Sequence, residues 1–257
     1  MDSTSTTLGK IGLTDRRLDA SPQKVARIAG TLYLAIIIAG IFAEFFVRSS
    51  LIVSGDAAAT ANNINAAEQL FRFGFASDLI MILCDVALAL VFYVLLKPVS
   101  NSLALLAAFF RLVQATILGI NLLNLSLGLQ LVGGAGDLAA VGSDQTQALG
   151  LLYLEAHGIG YSIGLVFFGF SILISGYLIY RSGYIPKILG ILLVIAGIGY
   201  LVDSFAKFIL PNYASYEAIF SLVVFAPAVI AELALALWLL IKGVNVDKWK
   251  ERALEPA

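Results

Sequence analysis

Six stretches of this chain are long and apolar enough to cross a bilayer, and that excludes most of what 257 residues can otherwise fold into. A helix needs about 20 apolar residues to span the hydrocarbon core. With no water there to satisfy exposed backbone, only helices and closed barrels cross it. The stretches run from about Val25 to Val47, Phe71 to Leu96, Ser102 to Val132, Ala148 to Tyr180, Ile185 to Phe208 and Tyr216 to Ile241. Their boundaries carry helix punctuation. Ser21-Pro22 opens the first, Lys97-Pro98 stops the second, and Gly133-Gly134, Gly183, Pro211 and Lys242-Gly243 follow the others. The third and fourth exceed the minimum and must tilt or protrude. The expected fold is all-α, an integral membrane bundle of six transmembrane helices.

The remaining composition narrows the chemistry. Only 13% of residues are charged and the mean hydropathy is +0.94, against about 25% charged in soluble domains. A net charge of -1 leaves no broad basic surface to neutralise phosphates, so nucleic-acid binding is not expected. The single cysteine, Cys84, excludes an intrachain disulfide, and the single histidine, His157, excludes a multi-histidine metal site. No metal or other cofactor is expected. Gly133-Gly134-Ala135-Gly136 lacks the lysine and the preceding strand that a phosphate-binding loop needs, and no nucleophile elbow is present.

Residues 1–24 are polar, Ser/Thr-rich and basic, which reads as a disordered cytoplasmic tail rather than a cleaved signal. Residues 25–242 form the six-helix domain and 243–257 a second cytoplasmic tail. Orientation follows from the positive-inside rule. Lys10, Arg16, Arg17, Lys24, Arg27, Lys97, Arg181, Lys187, Lys242, Lys248, Lys250 and Arg252 fall on one side, against Arg48, Arg72 and Lys207 on the other. Both termini are expected to be cytoplasmic and the bilayer to be the bacterial inner membrane. The segment 49–70 becomes the largest external connection. Its TANNINAAEQL run extends the second span outward or lies on the interface as a short helix.

Three ionisable residues sit deep inside these spans. Asp85 lies 12 positions before Lys97, Arg111 9 after Ser102 and Glu232 10 before Lys242. At 1.5 Å per residue they share a level roughly 14 to 18 Å from the inner boundary. A charge at mid-bilayer costs roughly 2.5 to 3.5 kcal/mol on insertion scales, so such residues face a partner or a wet cavity. The short turn between the second and third helices makes them antiparallel neighbours, which favours an Asp85–Arg111 pair with Glu232 as third member. Pro227 is positioned to kink the sixth helix near the same level.

A second polar layer lies toward the external side. Asp78 shares a helical face with Asp85, and Gln114 and Asn121 repeat the seven-residue interval on the third helix, with Asn124 on the far flank. His157 begins a comparable line with Gly164 and Ser171, beside Tyr161. Asp203 and Lys207 read as a local i,i+4 pair, and Glu44 and Glu155 as solvated.

Two functions compete for these residues. In one, Asp78, Asp85, Arg111, Gln114, Asn121, His157 and Glu232 line a polar interior that binds or transports a small solute or ion. In the other they only hold helices together in a structural or lipid-interacting membrane protein, since polar side chains also act as interhelical glue. An enzyme has less behind it. Asp78 with His157 would supply acid–base chemistry, but no catalytic nucleophile accompanies them.

Arg27-Ile-Ala-Gly30, Thr60-Ala-Asn-Asn-Ile64, Arg72, Arg111, His157 and the segment from Gly176 to Pro186 followed by Gly190 resemble a bacterial multi-pass membrane family catalogued as domain of unknown function 4386. The resemblance extends from Arg27 to about Lys242. It implies a six-helix integral membrane protein, and it implies no activity, substrate or catalytic residue.

Overall fold

A computed structural model of the protein describes residues 21–133 and 142–254. Most of the leading tail, with Lys10, Arg16 and Arg17, and the glycine run beyond Gly133 lie outside the described residues.

Six helices have the length and apolar character of membrane spans. They are α1 (Pro22–Leu51), α3 (Glu68–Leu96), α4 (Asn101–Val132), α5 (Ser143–Ser182), α6 (Lys187–Ile209) and α7, whose consecutive pieces are Glu217–Phe220, Ser221–Phe225 and Ala226–Ile241. Local capping signals start two of them near the expected positions, while α5 begins five residues before the expected Ala148. Ser21 Oγ accepts from Lys24 N–H with Pro22 at the first position of α1, and Ser100 Oγ accepts from Leu103 N–H at the start of α4. Gly183, in the left-handed region at φ 75°, ends α5.

The segment after α1 does not extend the second span. Ala57–Ala66 forms a separate helix, α2, capped by Asp56 and broken from α3 at Ala67. It leans on α5. That contact exists because α5, at 40 residues, is about 60 Å long by helical rise and projects beyond any bilayer. Asn65 Nδ2 donates to the Val132 carbonyl at 3.3 Å and fastens α2 to the end of α4.

Two spans contain a π-helical stretch: Phe42–Arg48 in α1 and Ser221–Phe225 in α7. The second ends two residues before Pro227, whose missing N–H and ring disturb the helix as expected. The disturbance takes the form of a widened turn rather than a simple bend.

Each span packs chiefly against two others, and these contacts close a ring in the order α1, α3, α4, α5, α6, α7 and back to α1, with α3 also touching α5. Outward-facing side chains are apolar, with Leu83 69% and Leu222 71% exposed. Inward-facing positions are where the polar residues collect. This inversion of the usual soluble pattern identifies the ring as a multi-pass membrane bundle.

Both described chain ends lie at one end of the ring, here the terminal end. Gln23 Nε2 donates to the Lys242 carbonyl at 2.9 Å, and its Oε1 accepts from Val244 N–H at 3.0 Å. Beyond α7 a short helix, α8 (Val246–Leu254), is held to the bundle through Trp249 Nε1, which donates to the Leu95 carbonyl at 3.0 Å. The opposite end, with α2 and the α6–α7 connection, is the distal end.

Candidate functional site: a polar interior in three layers

The inward stripe of α3 runs Phe71, Gly74, Asp78, Met81, Asp85, Leu88, Phe92, Leu95, and that of α4 runs Ala104, Ala107, Arg111, Gln114, Leu118, Asn121, Leu125. Steps of three and four residues keep one face turned to the neighbouring helix. Asp78, Asp85, Arg111, Gln114 and Asn121 therefore occupy core positions within otherwise apolar stripes. Asp78 and Asp85 are two turns apart, about 10 Å along the helix.

The middle layer is built on Arg111, 2% exposed. Its Nη1 stands 3.3 Å from Asp85 Oδ1, and Gln114 Nε2 donates to Asp85 Oδ2 at 3.1 Å. Aromatic rings from three other helices enclose the guanidinium. Its carbon lies 5.4 Å from the ring centre of Tyr33, 5.8 Å from Phe92 and 5.1 Å from Phe168. A ring face attracts a desolvated cation by about 2 kcal/mol, so the cage offsets part of what burying the charge costs.

Glu232 joins this layer through tyrosine. Tyr200 OH donates to Glu232 Oε1 at 2.6 Å, the Tyr33 hydroxyl is directed at the same carboxylate, and the Tyr200 ring meets Phe168 edge-on at 5.3 Å. Asp85 and Arg111 are thus brought together as the spacing predicts. Glu232 makes no ion pair with Arg111 among the described residues, and Tyr33 stands between the two roles, one face on the cation and its hydroxyl on the acid.

The distal layer contains a residue that sequence reasoning placed outside. Arg48, counted there as an external charge, is 7% exposed and turned inward from the π-helical stretch of α1. Its Nη1 lies 2.5 Å from Asp78 Oδ2 and its Nε donates to Glu44 Oε2 at 2.8 Å. Glu44, with its side chain 47% exposed, carries the chain of charges to the surface. Asp78 therefore pairs with α1 and not with Gln114 or Asn121.

The third cluster ties α4 to α5. Asn121 Nδ2 donates to the His157 carbonyl at 2.8 Å, and Asn124, expected on the far flank, donates to Asn121 Oδ1 at 2.9 Å. The His157 ring is buried 6.0 Å from that of Tyr161. Farther along the same line Ser171 Oγ donates to the Ala107 carbonyl at 2.8 Å, so the His157–Gly164–Ser171 face does meet α4. Asn121 reaches α5 because Gly160 leaves room: a Cβ there would collide with its carboxamide. This cluster has the character of interhelical glue. Asp203 and Lys207 pair at 3.3 Å near the distal end of α6, as expected, and Tyr213 adds a 2.6 Å hydrogen bond to Asp203.

The first two layers retain polar atoms that no protein group satisfies. Among the described residues, Asp78 Oδ1, Asp85 Oδ1, Arg111 Nε, Arg111 Nη1 and Gln114 Oε1 are buried with no hydrogen-bond partner. Asp85 Oδ1 and Arg111 Nη1 are near enough to attract, but the N–H is not aimed at the oxygen. An unsatisfied buried polar group costs about 1 to 3 kcal/mol, so these atoms in the two layers are expensive to leave open. On the terminal side of Arg111, away from Asp78, Asp85 and Gln114, a cavity of about 10 Å³ is lined by Phe92, Leu96, Ala104, Ala107, Ser171 and Ser175. That is room for about one water.

Sequence comparisons identify the family. A family model described as "Domain of unknown function (DUF4386)" matches residues 28–243. A protein of Archaeoglobus fulgidus, described as an uncharacterized protein, is 30% identical over 169 residues, covering 66% of this chain and 83% of that protein. No solved structure matches the chain. The chain belongs to the DUF4386 family.

Proposed function

We propose that this DUF4386 member is a multi-pass protein of the cell (inner) membrane that binds a small solute or ion, and passes it across, through the polar interior between Asp78 and Glu232. The observation that carries the reading is the set of open donors and acceptors on Asp85, Arg111, Gln114 and Asp78. Their mixture of signs suits a small guest that both donates and accepts hydrogen bonds. Asp85, Arg111 and Glu232 form the floor of the site, with Asp78, Gln114, Asn121 and His157 distal to it. The Arg48–Asp78 ion pair, about 10 Å beyond Asp85 by helical rise, closes the site on the distal side. The cavity beside Arg111 lies on its terminal side and is not lined by Asp78, Asp85 or Gln114, so a guest reaching those groups from the distal side requires that pair to separate.

The same small cavity favours a second reading, a structural or lipid-interacting membrane protein with a permanently closed interior. Substituted-cysteine labelling separates the two. In a Cys84→Ala background, Gln114→Cys and Asn121→Cys are exposed to a small membrane-impermeant thiol reagent in proteoliposomes, with Leu88→Cys as the buried control. Labelling of Gln114→Cys well above the control supports a site reached from the distal side. Rates equal to the control for both positions sink the solute reading and leave the structural one.

A further inference from the structure

The terminal end carries a second concavity unrelated to the polar interior. The α5–α6 turn and the segment after α7 enclose a groove of about 460 Å³ lined by Tyr184, Pro186, Lys187, Trp238, Lys242 and Asn245. That volume is in the range of small-molecule sites. Its walls are fixed from three directions. Tyr184 OH donates to the Leu95 carbonyl at 2.8 Å, Asn245 N–H donates to the Tyr184 carbonyl at 3.0 Å, and the Gln23 carboxamide brackets Lys242 to Val244. Gly183 and Gly243, at φ 75° and 71°, make the two reversals that bring the strands of the groove together.

The chemistry of its rim is divided. Lys187 and Lys242 are exposed and neither makes an ion pair among the described residues. The Lys187 ammonium lies 5.5 Å from the Tyr180 ring centre, which holds it without neutralising it. Asp247, the nearest carboxylate in sequence, belongs to α8 and does not line the groove. Adjoining the two lysines along the chain, Ile188 is 58% and Ile241 64% exposed, and Trp238, which lines the groove, is about a third exposed. Tryptophan at this depth is a membrane-interface residue.

From this division we infer that the groove binds the phosphate headgroup of an anionic phospholipid, with Lys187 and Lys242 on the phosphate and the acyl chains lying along Ile188 and Ile241. Two ammonium groups without an ion pair supply charge complementarity, and the exposed Ile188 and Ile241 beside them favour a lipid over a soluble phosphate. Basic pockets between spans at a membrane face recognise lipid headgroups by this combination. The reading is independent of the solute proposal, because no residue is shared.

Trp238 makes the test direct. The chain has two tryptophans, so a Trp249→Phe variant of the full chain leaves Trp238 as sole emitter. Proteoliposomes of unlabelled phosphatidylcholine receive increasing fractions of brominated phosphatidylglycerol or brominated phosphatidylcholine, and quenching is followed. The expected result is quenching by the anionic lipid at a roughly thirtyfold lower mole fraction, equivalent to about 1 kcal/mol for each of two lysines. Lys187→Gln with Lys242→Gln should erase that preference while Trp238 stays quenchable by both lipids. Equal quenching by the two lipids in the parent, or a preference that survives the double substitution, overturns the inference. Reversal of the preference by millimolar glycerol phosphate would reassign the groove to soluble phosphates. Because both lysines are exposed, the substitutions leave the fold intact, and an unchanged melting temperature in phosphatidylcholine checks this.

Discussion

Asp85 Oδ1 and Arg111 Nη1 lie 3.3 Å apart in the middle of the bundle, close enough to attract and yet not joined by a hydrogen bond. Gln114 holds the other oxygen of the acid, and three aromatic rings hold the guanidinium. Each charge therefore has support that does not depend on the other.

That independence predicts weak coupling. Breaking a fully hydrogen-bonded buried pair costs about 3 to 5 kcal/mol. For Asp85→Asn and Arg111→Gln, a double-mutant cycle on unfolding in detergent should return a coupling energy near 1 kcal/mol. A value above about 3 kcal/mol would show that the two charges are retained for each other, as a structural pair.

Tyr200→Phe should destabilise the protein by about 1 to 3 kcal/mol, because it leaves a buried oxygen of Glu232 without its donor. Adding Glu232→Gln should recover part of the loss, since a neutral amide is cheaper to leave underpaired. Thermal unfolding in detergent reads both, and a Tyr200→Phe protein as stable as the parent would contradict the role given to this hydroxyl.

Arg48→Gln should open the distal side. If the ion pair with Asp78 contributes about 1.4 kcal/mol to closure, its loss raises the open population and the labelling rate of Gln114→Cys by about tenfold. An unchanged rate, with the variant folded, would mean that closure does not depend on Arg48.

Glycine positions separate packing from mere permissiveness. A Cβ on Gly190 would come 2.6 Å from the Gly176 carbonyl and from Tyr180 N, both backbone atoms that cannot swing aside. Gly190→Ala should cost more than about 2 kcal/mol through overpacking. Gly119 and Gly158 have nothing within 4 Å of the same position, so alanine there should be neutral or stabilising by up to about 1 kcal/mol. Melting temperatures of the four proteins, parent included, decide it.

The six spans and the Asp85–Arg111 pairing are legible in the sequence because both follow from length and helical rise alone. Apolar runs set the boundaries, and counting from the nearest end puts the two charges at one level. Arg48 is not legible in that way. It lies near the end of its span, where depth counting assigns it to solvent, and only the widened turn of Phe42–Arg48 brings it inward. The i,i+4 spacing of Glu44 and Arg48 was a signal for a pair but not for its direction. Tyr33, Phe92, Phe168 and Tyr200 were hidden for another reason. In a chain with 16 phenylalanines and 10 tyrosines, an aromatic residue at mid-span reads as ordinary core until a charge is seen to lie on its face. The tail after residue 242 shows the same limit: nothing periodic in so short a segment announces that Trp249 will hydrogen-bond to Leu95.

The backbone contact between Gly176 and Gly190, repeated at Gly169 and Gly197, has a mechanical meaning. Helices that touch backbone to backbone at two levels are held at a short separation that any added side chain would widen. α5 and α6 are therefore the most closely apposed pair of backbones among these glycine contacts. The compliant parts are α1 and α7, whose widened turns face each other where Phe45 meets Phe225 at 6.5 Å. Tyr33 is carried on α1 and Glu232 on α7, so a bend at either widened turn would shift that residue relative to Arg111 on α4.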